Sequence, residues 1–134
     1  MRKVVIDTNV IVAAAVSSHG KSVEIMQLVE DRVIQLYVCP GIMTEYKRVL
    51  GYKWLKIDPF DQSEILRQIR KVSTSINPPK STIRMSDESD RIFYDTAKAV
   101  NADLITHNIK HFPRKSRFVM RPHDYISKIE SNKK

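Results

Sequence analysis

A chain of 134 residues with 23 Lys and Arg against 15 Asp and Glu, net charge +8, is one domain's worth of sequence. It is long enough to bury a core without covalent staples, and hydrophobic residues at 42% with only three glycines and six prolines argue against a long disordered region. Cys39 is alone, which excludes an intramolecular disulfide and any cysteine-based zinc site; beside the apolar run Ile34 to Val38 it reads as a buried thiol.

Lys3 to Ile6 reads as a short strand whose lack of polar alternation suits a parallel sheet buried on both faces. Asp7-Thr8-Asn9 offers capping side chains for a helix through Val10 to Ala15. The segment Val4 to Val16 is apolar, but Asp7 and Asn9 interrupt it, and at about 13 residues it is too short to cross a bilayer. No signal peptide and no membrane segment are expected, and the cytoplasm is the expected compartment. The polar stretch Ser17 to Lys21 breaks the first helix, and Ser22 is placed to cap a second over Val23 to Asp31. Ile34 to Val38 is the second strand, after which Pro40-Gly41 open a helix over Ile42 to Leu50 that Gly51 ends. Tyr52 to Leu55 forms a mixed connector, and Asp61 to Val72 is an amphipathic helix with Ile65, Leu66 and Ile69 on its apolar side. Pro78-Pro79 exclude a continuous helix through Ser73 to Ser81, which reads as a surface loop. Ser86 is placed to cap a helix over Asp87 to Val100; Leu104 to Thr106 and Arg117 to Met120 are further strands, and His123 to Ile129 a last helix. Short apolar strands alternating with amphipathic helices imply βαβ units. The expected fold is α/β, a three-layer α/β/α sandwich with a short, mainly parallel central sheet. One domain would span residues 1–130, with residues 131–134 a basic flexible tail.

Three acids occupy positions at the edge of apolar structure: Asp7 closes the first strand, Glu45 falls between Ile42 and Val49, and Asp90 heads a stripe continued by Phe93 and Ala97. Open α/β sheets bind ligands beyond the carboxyl ends of their strands, which brings Asp7 toward Asn108 just past Thr106. Helical spacing aims Glu45 and Asp90 at the same place, with Asp87 one turn earlier. Grouped carboxylates repel one another and a polyanionic substrate alike, and a hard divalent ion, Mg2+ or Mn2+, removes both penalties. The excess basic charge of the remaining chain suits such a substrate without specifying it. Each acid also has an ordinary structural reading. Asp7 caps a helix, Asp87 complements a helix dipole, Glu45 pairs with Arg48 or Lys47, and Asp90 pairs with Arg91 or Arg84. Lys110, Arg114 and Lys115 follow the candidate site as phosphate contacts or as a solvated face, and Phe112 reads as packing. His19, His107, His111 and His123 have no zinc-ligand spacing. Tyr46, Tyr52 and Trp54 cluster near the Glu45 helix, as a nucleic-acid groove or a partner surface.

The chain resembles the PIN-domain family, specifically the small prokaryotic toxin components of toxin–antitoxin pairs. The matching stretches are Val4 to Val10 with its Asp7-Thr8-Asn9, Glu45-Tyr46, the block Asp87 to Lys98, Ala102 to Asn108, and Lys110 to Pro113. By that resemblance Asp7, Glu45 and Asp90 are metal-binding acids, and Thr8 or Asn9 orients water or the metal shell. The implied activity is metal-dependent RNA hydrolysis leaving a 5′-phosphate and a 3′-hydroxyl. The implied partners are RNA, a cognate protein antitoxin and a second copy of the chain. The chain departs from many relatives where His107-Asn108 stand in place of Gly-Asp after the threonine of the last core strand. Asparagine offers a carbonyl but no negative charge, so a second ion is held less firmly unless Asp87 compensates.

Two other functions fit less of the sequence. A phosphoacceptor domain needs an acidic pair beside Asp7 and an acid where Cys39-Pro40 stand, and a dinucleotide-binding domain needs a glycine-rich phosphate loop that is missing. A PIN-like RNA-binding protein with weak or lost catalysis is the alternative that Asn108 raises.

Overall fold

The computed structural model describes residues 1–132. Five strands form one parallel sheet: β1 (Arg2–Ile6), β2 (Ile34–Val38), β3 (Ser73–Ser75), β4 (Asp103–Ile105) and β5 (Val119–Met120), in the order β3-β2-β1-β4-β5. β1 lies in the middle, with Val4 opposite Leu36 of β2 on one side and Asp103 of β4 on the other. Val4, Val5 and Ile6 are all fully buried. Successive strand side chains point to opposite faces, so both faces of the sheet are covered. The covering helices are α1 (Thr8–Val16), α2 (Lys21–Glu30), α3 (Pro40–Leu50), α4 (Pro59–Val72), α5 (Arg91–Val100) and α6 (Pro122–Ser131). α5 packs on β1, β2 and β4, while α2 packs on β2 and on α1, α4 and α6. This is the expected α/β sandwich. Cys39 is buried and free, as expected.

Local chemistry explains where the elements differ from expectation. The stretch Ser73 to Ser75, expected as loop, is the edge strand β3; it pairs with Leu36 to Val38, and the Gln35 side chain donates to the Val72 carbonyl at 3.1 Å and to Thr74 Oγ1 at 3.2 Å. Backbone pairing, not apolar content, makes it a strand. α2 starts at Lys21 behind Gly20, whose φ of 118° suits glycine. Ser22 therefore lies inside the first turn, buried, and caps nothing. α4 starts at Pro59 because Asp58 caps it, accepting from the Phe60 and Asp61 N–H groups at 2.8 and 3.3 Å. Asp87, not Ser86, caps the next helical segment, and that segment opens as a 3-10 turn over Glu88–Asp90 before α5 begins.

α3 buries Ile42, Tyr46 and Leu50, so the apolar stripe runs one residue beside the expected Ile42-Glu45-Val49 line and leaves Glu45 half-buried on its flank. The Tyr46 hydroxyl donates to the Ile6 carbonyl, and its ring centroid lies 6.4 Å from that of Phe93 on α5. α3 and α5 are thereby fixed against the carboxyl end of β1. Of the expected tail, Ser131 belongs to α6, and residues 133 and 134 lie outside the described residues. No helix among the described residues is long and apolar enough to cross a membrane.

Candidate functional site

The chain leaves β1 toward β2 and β3 on one side, while β4 and β5 extend the other, so the topological switch point lies between β1 and β4. The crevice beyond the carboxyl ends of those two strands is where such sheets bind ligands. Asp7 stands there, its N–H bonded to the Ile105 carbonyl at 2.9 Å. Its carboxylate is held from three sides. Oδ1 accepts from the Thr8 N–H at 2.7 Å; Oδ2 accepts from the Thr106 hydroxyl at 2.8 Å and from Asn9 Nδ2 at 3.4 Å. Thr106 also accepts the Asn108 N–H at 3.0 Å, and Asn9 Oδ1 accepts the His107 N–H at 3.2 Å. The ends of β1 and β4 are thus stitched together through Asp7, Asn9 and Thr106. Asn108 joins Asp7 by way of Thr106, and its exposed side chain projects beyond that link. Capping and site membership are compatible for Asp7, since each carboxylate oxygen has two lone pairs.

Asp7 is 6% exposed, and burial raises its pKa above the ordinary value. The Thr106 and Thr8 hydrogen bonds oppose that rise, while the Glu45 charge adds to it. Asp90 is pushed up to about 6, by burial first, then by the charges of Asp7 and Asp87, with His111 pulling the other way. Its Oδ2 is buried without a hydrogen-bond partner; His111 Nδ1 stands 3.4 Å away, outside good hydrogen-bond geometry. Thr8 Oγ1 is a second buried oxygen with no partner. Glu45 is paired with Arg48 one turn along α3, and Arg48 in turn contacts the Tyr52 hydroxyl. Asp87 is exposed and bonds the Ser89 N–H at 3.0 Å and hydroxyl at 2.8 Å, which holds its pKa below the usual carboxylate value.

The donor chemistry fits a hard divalent cation. The Asp7 charge raises the proton affinity of Asp90, the Glu45 charge raises that of Asp7, and Asp90 offers an orphaned buried oxygen of the kind that an ion satisfies. As the side chains stand, no group of three His, Cys, Asp or Glu among the described residues is arranged to hold an ion. Glu45 engages Arg48 through Oε1 alone.

Lys110, Arg114 and Lys115 are exposed and line one shallow depression of about 600 Å³, with Arg117 at its edge and Ile109, Phe112 and Pro113 as its floor. Phe112 is buried, in keeping with a packing role. His111 faces Asp90, and His107 Nε2 lies 3.4 Å from Ser22 Oγ.

Thr106 was not singled out from sequence, and Arg91, read there as a partner for Asp90, pairs with Glu88 instead. Thr106 ends an apolar strand two residues before Asn108, and its lone hydroxyl in that run was the available signal. Arg91 is buried beside Asp90. It holds Glu88 with two bonds at 2.7 and 2.8 Å, and donates to the Ser81 carbonyl at 2.9 Å and the Ile83 carbonyl at 2.7 Å. Asp95 adds a bond from the Ser81 N–H at 3.0 Å. Together they clamp the strap before Asp87 onto α5.

A doubly wound parallel sheet with acids at its switch point defines an α/β protein with a rim site. The family model of the PIN domain matches residues 3–110, and the chain belongs to that family. A protein of Methanocaldococcus jannaschii with no characterised function is 33% identical over 111 residues, spanning 78% of this chain and 69% of that protein. Among solved structures, a chain of VapBC2 from Rickettsia felis, solved bound to a DNA fragment from their promoter, shares the fold. It has a TM-score of 0.59 and 17% identity, covering 89% of this chain and 97% of that one.

Proposed function

We propose that this protein is a metal-dependent endoribonuclease, the toxin of a toxin–antitoxin pair, whose site is Asp7, Glu45, Asp90 and Asn108 at the carboxyl ends of β1 and β4. The observation that carries the reading is the unpartnered, buried Oδ2 of the half-buried Asp90, whose proton affinity the buried Asp7 carboxylate raises at the switch point of a PIN-domain sheet. Asp7, Asp90 and Glu45 hold Mg2+ or Mn2+, with Asp87 as a further ligand from the preceding turn. When bound, the ion screens the substrate phosphate from the acids and makes a water a better nucleophile. The protein's own residues do the rest. Thr106 and the Thr8 N–H fix the Asp7 carboxylate in one orientation, and Asn9 ties that corner to β4. The Thr8 hydroxyl is available to orient water, and Asn108 offers a neutral carbonyl from the β4 side. Lys110, Arg114 and Lys115 position the RNA backbone without reading its sequence. Water adds across the P–O3′ bond, leaving a 5′-phosphate on one product and a 3′-hydroxyl on the other. A cognate protein antitoxin, a second copy of the chain and a cytoplasmic location complete the reading.

The test is a cleavage assay on a mixed panel of tRNA, rRNA and mRNA with Mg2+, Mn2+ or chelator, beside Asp7→Asn. Metal-dependent products that vanish in the variant are expected. Cleavage that persists in chelator, or in Asp7→Asn, would sink the assignment. A second reading has its own support: Glu45 is occupied by Arg48, and Asn108 brings no charge. An RNA-binding protein with weak turnover would show binding of the same panel with no products under any metal.

A further inference from the structure

The turn between α3 and α4 holds apolar rings out in water. Trp54 is 73% exposed and Phe60 71% exposed, and the Tyr52 ring centroid lies 6.4 Å from that of Trp54. The turn itself is firmly built. The Tyr52 N–H bonds the Val49 carbonyl at 3.0 Å, the Leu55 N–H bonds the Tyr52 carbonyl at 3.1 Å, and Gln62 Nε2 donates to the Ile57 carbonyl at 2.7 Å. Ile57 packs against the core. The turn keeps the Trp54 ring out of the core, with Tyr52 as its aromatic neighbour.

The charge around the rings is mostly positive. Lys47, Arg48, Lys53 and Lys56 are exposed on this stretch; of the two acids at the start of α4, Asp58 caps the helix and Asp61 lies in its first turn. The Arg48 guanidinium lies 5.6 Å from the Tyr52 ring centroid and pairs with Glu45. The aromatic ledge is therefore continuous with the acid cluster through a single side chain. Aromatic faces interleaved with cations suit single-stranded nucleic acid, whose unpaired bases stack on rings while its phosphates meet the cations. Bases in a duplex are already stacked on each other and have no free face to offer.

We propose that Tyr52 and Trp54 form a stacking platform for an unpaired base of single-stranded RNA, with Arg48, Lys53 and Lys56 taking the flanking phosphates. The proposal rests on the ribonuclease reading and adds to it a binding platform, from which an unpaired strand is threaded across Arg48 to the acids. A phosphate that draws Arg48 away would also release Glu45.

Trp54 is the only tryptophan in the sequence, so its emission reports on the ledge directly. The full chain is titrated in chelator with an oligoadenylate of about twelve nucleotides and with a duplex of the same length, following tryptophan emission and the anisotropy of labelled RNA. Quenching by the single strand and not by the duplex is expected. Trp54→Ala should weaken single-strand binding about tenfold, and Trp54→Phe should keep most of it. Anisotropy that reports binding while emission stays unchanged, or a Trp54→Ala protein that binds like wild type, overturns the platform alone. No binding of either RNA overturns the RNA reading itself. A Trp54→Ala protein that loses self-association in sedimentation but keeps its RNA affinity marks the ledge as a protein contact and overturns the proposal.

Discussion

Thr106 has one hydroxyl and three tasks, donating to Asp7 and accepting from the Asn108 N–H and from Asn9 Nδ2. Groups that orient a ligating carboxylate are worth about ten- to a hundredfold in ion affinity or activity. Thr106→Val should raise the Mg2+ concentration needed for half-maximal cleavage by that order, with an unchanged circular dichroism spectrum; an unaltered metal titration would remove Thr106 from the site. Asp90 gives a prediction with a definite sign. Its native pKa of about 6 lies above the ordinary 3.8, so between those values the native state binds more protons than the unfolded chain. Stability of the metal-free protein therefore falls as pH rises through that window, and the penalty is complete above the native value. In chelator, Asp90→Asn should stabilise the protein by about 1–2 kcal/mol near neutral pH, after discounting the shift for solvent screening, and change little near pH 4. Thermal melts at the two pH values decide it: equal effects at both would show that the carboxyl is not strained.

At the scale of elements, the strap before Asp87 is held on α5 by Arg91, whose guanidinium meets two carbonyls and a carboxylate. Arg91→Leu leaves those carbonyls unpaired, and we expect a loss of about 2–3 kcal/mol in urea unfolding with faster amide exchange at Ser81. The same elements show what sequence reading reaches. β1 announces itself by Val4-Val5-Ile6 and β2 by the largely apolar run Ile34 to Val38, and α5 as a stripe of Phe93 and Ala97 behind an acid. β3 does not, because Ser73-Thr74-Ser75 becomes a strand through neighbours on β2 and the Gln35 side chain. Asp7 and Asp90 were legible from their places at element ends. The Glu45–Arg48 pair was legible as a helical spacing, although which of its two readings held was not. The strap was hidden, since Arg91 reaches partners that only tertiary packing brings near it. The exposure of Trp54 was hidden for the same reason, because an isolated Trp reads equally as core.

For the whole molecule, the net charge of +8 carries its own test. If Lys110, Arg114 and Lys115 hold phosphates, RNA affinity should fall linearly on a log–log salt plot, and replacing all three with Gln should reduce the slope by about 2. An unchanged slope would return that depression to the solvated surface. Asp7 closes the central strand of the five, in the part of the sheet farthest from either edge. The turn after α3 lies outside the sheet and meets the acids only through Arg48, whereas the loop after β4 is bonded to Asn9 and Thr106. Exchanging the turn after α3 with a relative's should therefore transplant RNA preference while the geometry at Asp7 stays where the central strand sets it.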